Sequence, residues 1–205
     1  MSKKGKNFSC NNVSKKRKKS DFYETPYSMT RQFINGEYFN KELTVLEPSC
    51  GEGAILKILK ENWKSDLVTG KDLIQTKDDY LNENKEWDYV ITNPPFSLAL
   101  EFIQKSKIVA NKKFAMLLPL SYLHGKQRYD EVYTDKNYGL KNVHVFTRYP
   151  MLGDPLREDG RYRTGMMVYA WFVWENGYAG DPRLKWLDNH KYVLGARNID
   201  HPKLF

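Results

Sequence analysis

Asp88-Tyr89-Val90-Ile91-Thr92-Asn93-Pro94-Pro95-Phe96 is the stretch that decides how this chain folds. The apolar run 89–91 reads as a buried strand. The strand stops at Asn93, because two prolines remove the donors that a ladder needs. Pro94 also holds Asn93 extended. A stiff turn results at the carboxyl end of a strand, carrying the Asn93 amide, the carbonyls of Asn93 and Pro94, and the Phe96 ring. In open α/β sheets that edge binds ligands. A planar amino group can give its protons to the Asn93 side-chain oxygen and the Pro94 carbonyl while its ring stacks on Phe96. Taken alone, the same residues also suit a strand-ending turn with a core phenylalanine, so the neighbouring elements have to decide.

Upstream, Leu43-Thr44-Val45-Leu46 is a short buried strand that runs into Glu47-Pro48-Ser49-Cys50-Gly51-Glu52-Gly53. Ile55, Leu56, Ile58, Leu59 and Trp63 then recur at helical spacing. Strand, glycine turn and helix in that order form the opening half of a nucleotide-binding unit. Residues 67–72 are the next strand, which ends in Asp72, nineteen residues after Gly53. Asp79-Tyr80-Leu81 reads as a very short third strand. Ahead of all these, Pro26 in a first turn capped by Thr25 opens a helix over 27–35.

Downstream the pattern predicts a helix over 97–110 and a buried strand over 113–118. A mixed helical stretch over 120–134 and a strand over 143–146 follow. A long loop over 148–165 leads to a last, aromatic strand over 166–174. Trp171, Trp174 and Tyr169 in that strand are expected to pack in the core. Strands alternating with helices imply an α/β, Rossmann-like architecture: a mostly parallel seven-stranded sheet with helices on both faces.

The chain has 205 residues, enough for one domain with a substantial core. No apolar run reaches the length of a membrane span, and the basic amino terminus lacks the apolar segment of a signal peptide. Cys10 and Cys50 stand far apart without metal or redox spacing, so a reducing cytoplasm, no disulfide and no metal are expected. The net charge of +8 is unevenly placed. Residues 1–20 hold eight of the 33 basic residues and no acid, and the other 25 bases match the 25 acids. The basic character therefore belongs to a tail, which has too few apolar residues to fold alone. Residues 1–20 are expected to be a disordered tail and 21–205 a single domain. Lys15, Lys16, Arg17, Lys18 and Lys19 suit nucleic-acid phosphates.

The loop chemistry narrows the ligand. Gly51 and Gly53 permit close backbone approach at a helix amino terminus. The third glycine that admits a pyrophosphate is missing, and Glu47 and Glu52 would repel one. A ligand with an ammonium or sulfonium and no phosphate fits better, with Asp72 placed to hold two ribose hydroxyls. These features suggest S-adenosylmethionine.

Tyr23-Glu24-Thr25-Pro26, Leu46-Glu47-Pro48-Ser49-Cys50-Gly51-Glu52-Gly53, Asp72, Asp79-Tyr80-Leu81 and Asn93-Pro94-Pro95-Phe96 follow one another in an order that resembles the S-adenosylmethionine-dependent N6-adenine DNA methyltransferases of the small bacterial and phage type. The resemblance spans roughly residues 21–175 and implies a class I methyltransferase fold. It implies that Tyr23 and Thr25 lie in the cofactor-binding amino-terminal motif, with Thr25 on the cofactor's carboxylate. Glu47, Pro48, Gly51 and Gly53 would surround its methionine part, and Asp72 would take its ribose. Asp79 would accept from its adenine amino group with Tyr80 beside the ring; the short spacing from Asp72 lets Asp78 replace Asp79. Asn93 and Pro94, stiffened by Pro95, would grip the target amine and Phe96 would stack on the target base. A bacterial or phage-infected cytoplasm is the implied setting.

An exocyclic adenine amine is a poor nucleophile because its lone pair is delocalised into the ring. Two acceptors on its hydrogens free that lone pair for direct in-line attack on the methyl group. The target base has to be flipped from duplex DNA or presented single-stranded. Arg148, Arg161 and Arg163, in the long loop, are further candidates for nucleic-acid contact. About thirty residues follow the expected last strand, too few for a separate target-recognition domain, so recognition falls to the loops, the tail or a partner subunit. Two other readings share the fold: methylation of an RNA base amine or a protein glutamine, and a catalytically silent subunit that binds DNA or cofactor.

Overall fold

The computed structural model describes residues 25–147 and 167–188. Their elements run α1 (Tyr27–Gly36), β1 (Val45–Glu47), α2 (Ala54–Asn62), β2 (Val68–Gly70), β3 (Trp87–Thr92), α3 (Ala99–Val109), β4 (Ala110–Pro119), β5 (Tyr138–Phe146), β6 (Tyr169–Asn176) and β7 (Arg183–Leu187). The strands form one sheet in the order β2-β1-β3-β4-β6-β5-β7.

Side-chain alternation on the strands builds two apolar layers. Val90 of β3, Phe114, Met116 and Leu118 of β4, and Phe172 and Trp174 of β6 face one side, where Phe102 and Ile103 of α3 cover them. Tyr89 and Ile91, Ala115 and Leu117, and Trp171 and Val173 face the other, under Phe33 of α1 and Ile55 and Leu59 of α2. Stacked rings key each layer: Phe114 against Trp174 at 4.8 Å, and Phe33 against Trp171 at 4.4 Å. Helices on both faces and seven strands are thus as expected.

The sheet is mostly parallel, as expected, with four parallel pairings; among the described strands β6 runs antiparallel to both its neighbours, β4 and β5. Three expectations need correction. Asp79-Tyr80-Leu81 is no strand. The Asp79 carboxylate accepts from the Leu81 N–H at 3.0 Å and caps a 3-10 turn over Tyr80–Asn82, an Asx-type bond that competes with strand pairing. The seventh strand is instead β7, parallel to β5 at the far edge of the sheet, so β6 is not the last. Finally, Pro26 holds the cap position of α1, which has no side-chain capping bond, and Thr25 is turned to other use.

Glu37 fastens α1 to the sheet. It sits just past the helix and accepts from Lys113 Nζ of β4 at 3.0 Å and from Asn142 Nδ2 of β5 at 2.7 Å. His144 Nε2 of β5 lies 2.9 Å from the same carboxylate. Burial alone would raise its pKa, but His144 and Lys113 overcome that and hold the carboxyl at about 2. Among the described residues no helix is long and apolar enough to cross a membrane.

Candidate functional site

The chain leaves β1 outward to β2 and returns on the opposite side of β1 to form β3. That reversal opens a crevice beyond the carboxyl ends of β1 and β3, the usual ligand position in such sheets. The crevice holds a cavity of about 330 Å³ whose lining includes Thr25, Glu47, Pro48, Gly51, Asp72, Asp78, Asp79, Tyr80, Asn93, Pro94, Pro95 and Phe96. Residues scattered through the sequence from 25 to 96 meet there.

The floor is the turn from β1 into α2. Gly51 and Gly53 have φ of 49° and 88°, the left-handed region that glycine enters without strain. Gly53 caps α2 in that conformation, so both glycines are required by the backbone. Pairing between β1 and β2 continues past their ends, Lys71 N–H to Glu47 O at 2.9 Å and Cys50 N–H to Lys71 O at 3.0 Å, and this brings Asp72 beside the glycine loop. Its carboxylate accepts from the backbone N–H of Gly51 at 3.1 Å, of Ile74 at 2.8 Å and of Gln75 at 3.0 Å. Asp72 therefore both lines the cavity and locks the two loops that flank it.

Glu47 is 1% exposed, and its Oε2 has no hydrogen-bond partner among the described residues. Burial pushes its carboxyl well above the usual carboxylate range; the backbone N–H of Leu56 pulls the other way, and the charge of Asp72 adds to the rise. A buried carboxylate oxygen without a donor is costly unless a ligand satisfies it. The described lining includes five carboxylates (Glu47, Glu52, Asp72, Asp78 and Asp79) and no lysine or arginine. The cavity suits a cation that carries hydroxyls, and it opposes phosphate. Burial, with Glu47 and Asp72 behind it, raises the Cys50 thiol to about 11, so Cys50 is a thiol rather than a nucleophilic thiolate at neutral pH.

Asp79 lines the far side, its second oxygen accepting from Asn82 Nδ2 at 3.1 Å. Asp78 also lines the cavity. Tyr80 is buried, its hydroxyl 2.7 Å from Ser106 Oγ and its ring against Phe102 at 4.9 Å, so it supplies an apolar wall.

The β3 turn forms the other wall. Asn93 follows Thr92 directly, and Leu98 N–H donates to Pro95 O at 2.9 Å, which closes the turn that carries Phe96 into α3. Asn93 Nδ2 donates to Thr25 Oγ1 at 3.1 Å. Phe96 stacks on Tyr169, with ring centroids 5.8 Å apart and planes at 29°. Tyr169 packs partly buried against the core layer, as expected, and its ring also reaches Phe96 of the turn. It opens β6 and pairs in register with Pro119 at the end of β4. Only the antiparallel direction of β6 brings its first residue to the edge where parallel strands end. Trp171 and Trp174 are fully buried, as expected.

Tyr23, Lys15, Lys16, Arg17, Lys18, Lys19, Arg148, Arg161 and Arg163 lie outside the described residues, as do the 1–20 tail and the 148–165 loop.

No protein-family model matches the chain, and neither does any curated protein sequence. Solved structures do. A modification subunit assigned to a type I restriction enzyme from Vibrio vulnificus YJ016 aligns at TM-score 0.58 and 15% identity over 80% of this chain and 46% of that one. The M protein of the type I restriction enzyme EcoKI aligns at TM-score 0.58 and 14% identity, over 77% and 44%. A class I S-adenosylmethionine-dependent methyltransferase assigned in Listeria monocytogenes aligns at TM-score 0.52 and 12% identity, over 79% and 63%. The chain thus has the α/β fold of these methyltransferases and spans less than half the length of the two restriction-enzyme subunits.

Proposed function

We propose that the protein transfers a methyl group from S-adenosylmethionine to the N6 amino group of adenine in DNA. The observation that carries this reading is that one cavity joins the turn Asn93 to Phe96 to five carboxylates, with no lysine or arginine among its described lining residues. The fold shared with type I modification subunits and with a class I methyltransferase supports it. The donor set fits the methyl donor: Glu47 and the Gly51 backbone for its cationic methionine part, Asp72 for its ribose, and Asp78 or Asp79 with Tyr80 for its adenine. Bound there, S-adenosylmethionine supplies an electrophilic methyl group.

The chain's own groups act on the target. The Asn93 side-chain oxygen and the Pro94 carbonyl accept the two amino hydrogens, which turns the nitrogen lone pair out of conjugation. Phe96 and Tyr169 stack against the base and fix its plane. The freed lone pair would then be directed at the methyl group that the cofactor, held by Glu47, the Gly51 backbone and Asp72, would supply for displacement from its sulfonium sulfur. The nitrogen afterwards releases one proton to water. Asn93 is neutral and serves as an acceptor rather than a base. A base has to leave the duplex stack to reach this edge.

Lys15 to Lys19, Arg148, Arg161 and Arg163 are assigned to nucleic-acid phosphates in this reading, and target choice to the long loop or a partner subunit. The test is transfer of a labelled methyl group to duplex DNA, single-stranded DNA, RNA and protein offered in parallel. Label in N6-methyladenine of DNA is expected. Label confined to RNA or to protein glutamine would move the substrate, and no transfer to any acceptor would leave a silent binding subunit.

A further inference from the structure

The Thr25 hydroxyl is not spent on helix capping, although its position just ahead of α1 invites that. Pro26 is the cap and no side chain caps the helix. Thr25 is instead 3% exposed, lines the cavity and accepts the Asn93 Nδ2–H at 3.1 Å across 68 residues of sequence. A primary amide has two chemically opposite ends, and it can turn by half a rotation at little steric cost. Only one orientation serves the proposed chemistry. The oxygen has to face the target amine as an acceptor, whereas the NH₂ end would meet that amine donor to donor.

We infer that Thr25 is a positioning residue that fixes the rotamer of the Asn93 amide and so holds Asn93 Oδ1 toward the target amine. This rests on the methyl-transfer reading above. A hydroxyl has one proton and two lone pairs. Thr25 Oγ1 uses a lone pair on Asn93 and keeps its proton to donate into the cavity, so its contact with Asn93 is compatible with one to a cavity ligand. The bond also ties Thr25, just ahead of α1, to the turn after β3.

The discriminating variants are Thr25→Val, which keeps the shape and loses the hydroxyl, and Thr25→Ser, which keeps the hydroxyl. Thr25→Ala serves as a second deletion of the hydroxyl. In the full chain, kcat is expected to fall about tenfold in the valine and alanine variants, the worth of one neutral hydrogen bond. KM for DNA should stay within about twofold, and serine should restore kcat. A second readout needs neither DNA nor turnover. The Asn93 side-chain NH₂ resonances, identified by their loss in Asn93→Asp, should shift in the valine variant and return in the serine variant. Wild-type kcat in the valine variant, or unmoved Asn93 amide resonances, would overturn the inference. An inactive wild type whose Asn93 resonances still respond to Thr25 would instead overturn the methyl-transfer reading.

Discussion

Phe96, which lines the cavity, stacks on Tyr169, with ring centroids 5.8 Å apart and planes inclined by 29°. One ring comes from the turn after β3, and the other opens β6, which alone among the described strands runs antiparallel to both its neighbours. In the proposed reading, a base seated against Phe96 would have a second aromatic ring behind it, supplied from 73 residues further along the chain.

Tyr169→Ala is therefore expected to weaken capture of the target base. Base–aromatic stacking is worth about 1–3 kcal/mol, so KM for DNA should rise roughly ten- to a hundredfold. Tyr169→Phe should stay near wild type, because the ring does the stacking. Steady-state kinetics with a DNA substrate, alongside calorimetry with S-adenosylmethionine, make the check. Cofactor affinity should be unchanged in both variants, and a Tyr169→Ala variant with wild-type KM would remove Tyr169 from the site.

Glu47 gives a pH signature. Burial raises its folded pKa well above the ordinary 4.5. The stability it contributes is then fully present below pH 4.5 and is lost as the pH rises through the folded value. Glu47→Gln should make the cofactor-free protein more stable than wild type at neutral pH. The gap should grow by about 1.4 kcal/mol for each pH unit of that window and vanish near pH 4. Cofactor binding has the opposite sense, since a cationic ligand favours the ionised carboxylate. Affinity should climb with pH in wild type and stay flat in Glu47→Gln. Urea denaturation and calorimetry across pH 4–8 read both effects, and parallel pH profiles for the two proteins would contradict them.

Glu37 carries the opposite sign. Its folded pKa is depressed to about 2, so its contribution is present above pH 4.5 and is lost as the pH falls toward 2. Glu37→Gln leaves Lys113 paired with Glu175 at 3.0 Å but removes the carboxylate that the fold holds ionised, and should cost about 3 kcal/mol at pH 7. The cost should shrink steadily below pH 4. Denaturation midpoints from pH 2 to 7 test this, and a pH-independent difference would reject the charge-based account.

The polar edge of the fold was largely legible in the sequence, because it is built from local signals. Two prolines stop β3, two glycines turn β1 into α2, and each signal acts within a few residues of the side chains it positions. What was not legible has a different cause. Strand direction depends on where distant segments dock, so the insertion of β6 between β4 and β5, and with it the contact of Tyr169 with Phe96, left no local trace. Arg183 to Leu187 carries Lys185 and Trp186 in a pattern that becomes a strand only once β5 offers an edge. At Asp79 a local rule did exist, the Asx bond to Leu81 N–H, and it outweighs the weak strand propensity of three residues. Thr25 satisfies the sequence rule for a cap and yet bonds to Asn93, a partner 68 positions away.

The basic tail should act through phosphates alone. Replacing Lys15, Lys16, Arg17, Lys18 and Lys19 by alanine is expected to weaken DNA binding without altering which base is methylated. If all five meet duplex phosphates, the slope of log affinity against log salt should flatten by about 4. Fluorescence anisotropy over a salt series measures that slope, and an unchanged slope would separate the tail from DNA.

The most direct test of the account compares DNA from cells expressing the wild-type chain with DNA from cells expressing Asn93→Ala, by mass spectrometry of the nucleosides. The account predicts N6-methyldeoxyadenosine above background with wild type. It predicts background levels with Asn93→Ala, although the purified variant still binds S-adenosylmethionine within a few-fold of wild type. Equal N6-methyldeoxyadenosine from the two proteins, or none from wild type with all components present, would contradict the assignment of the Asn93 turn as the grip on a target adenine.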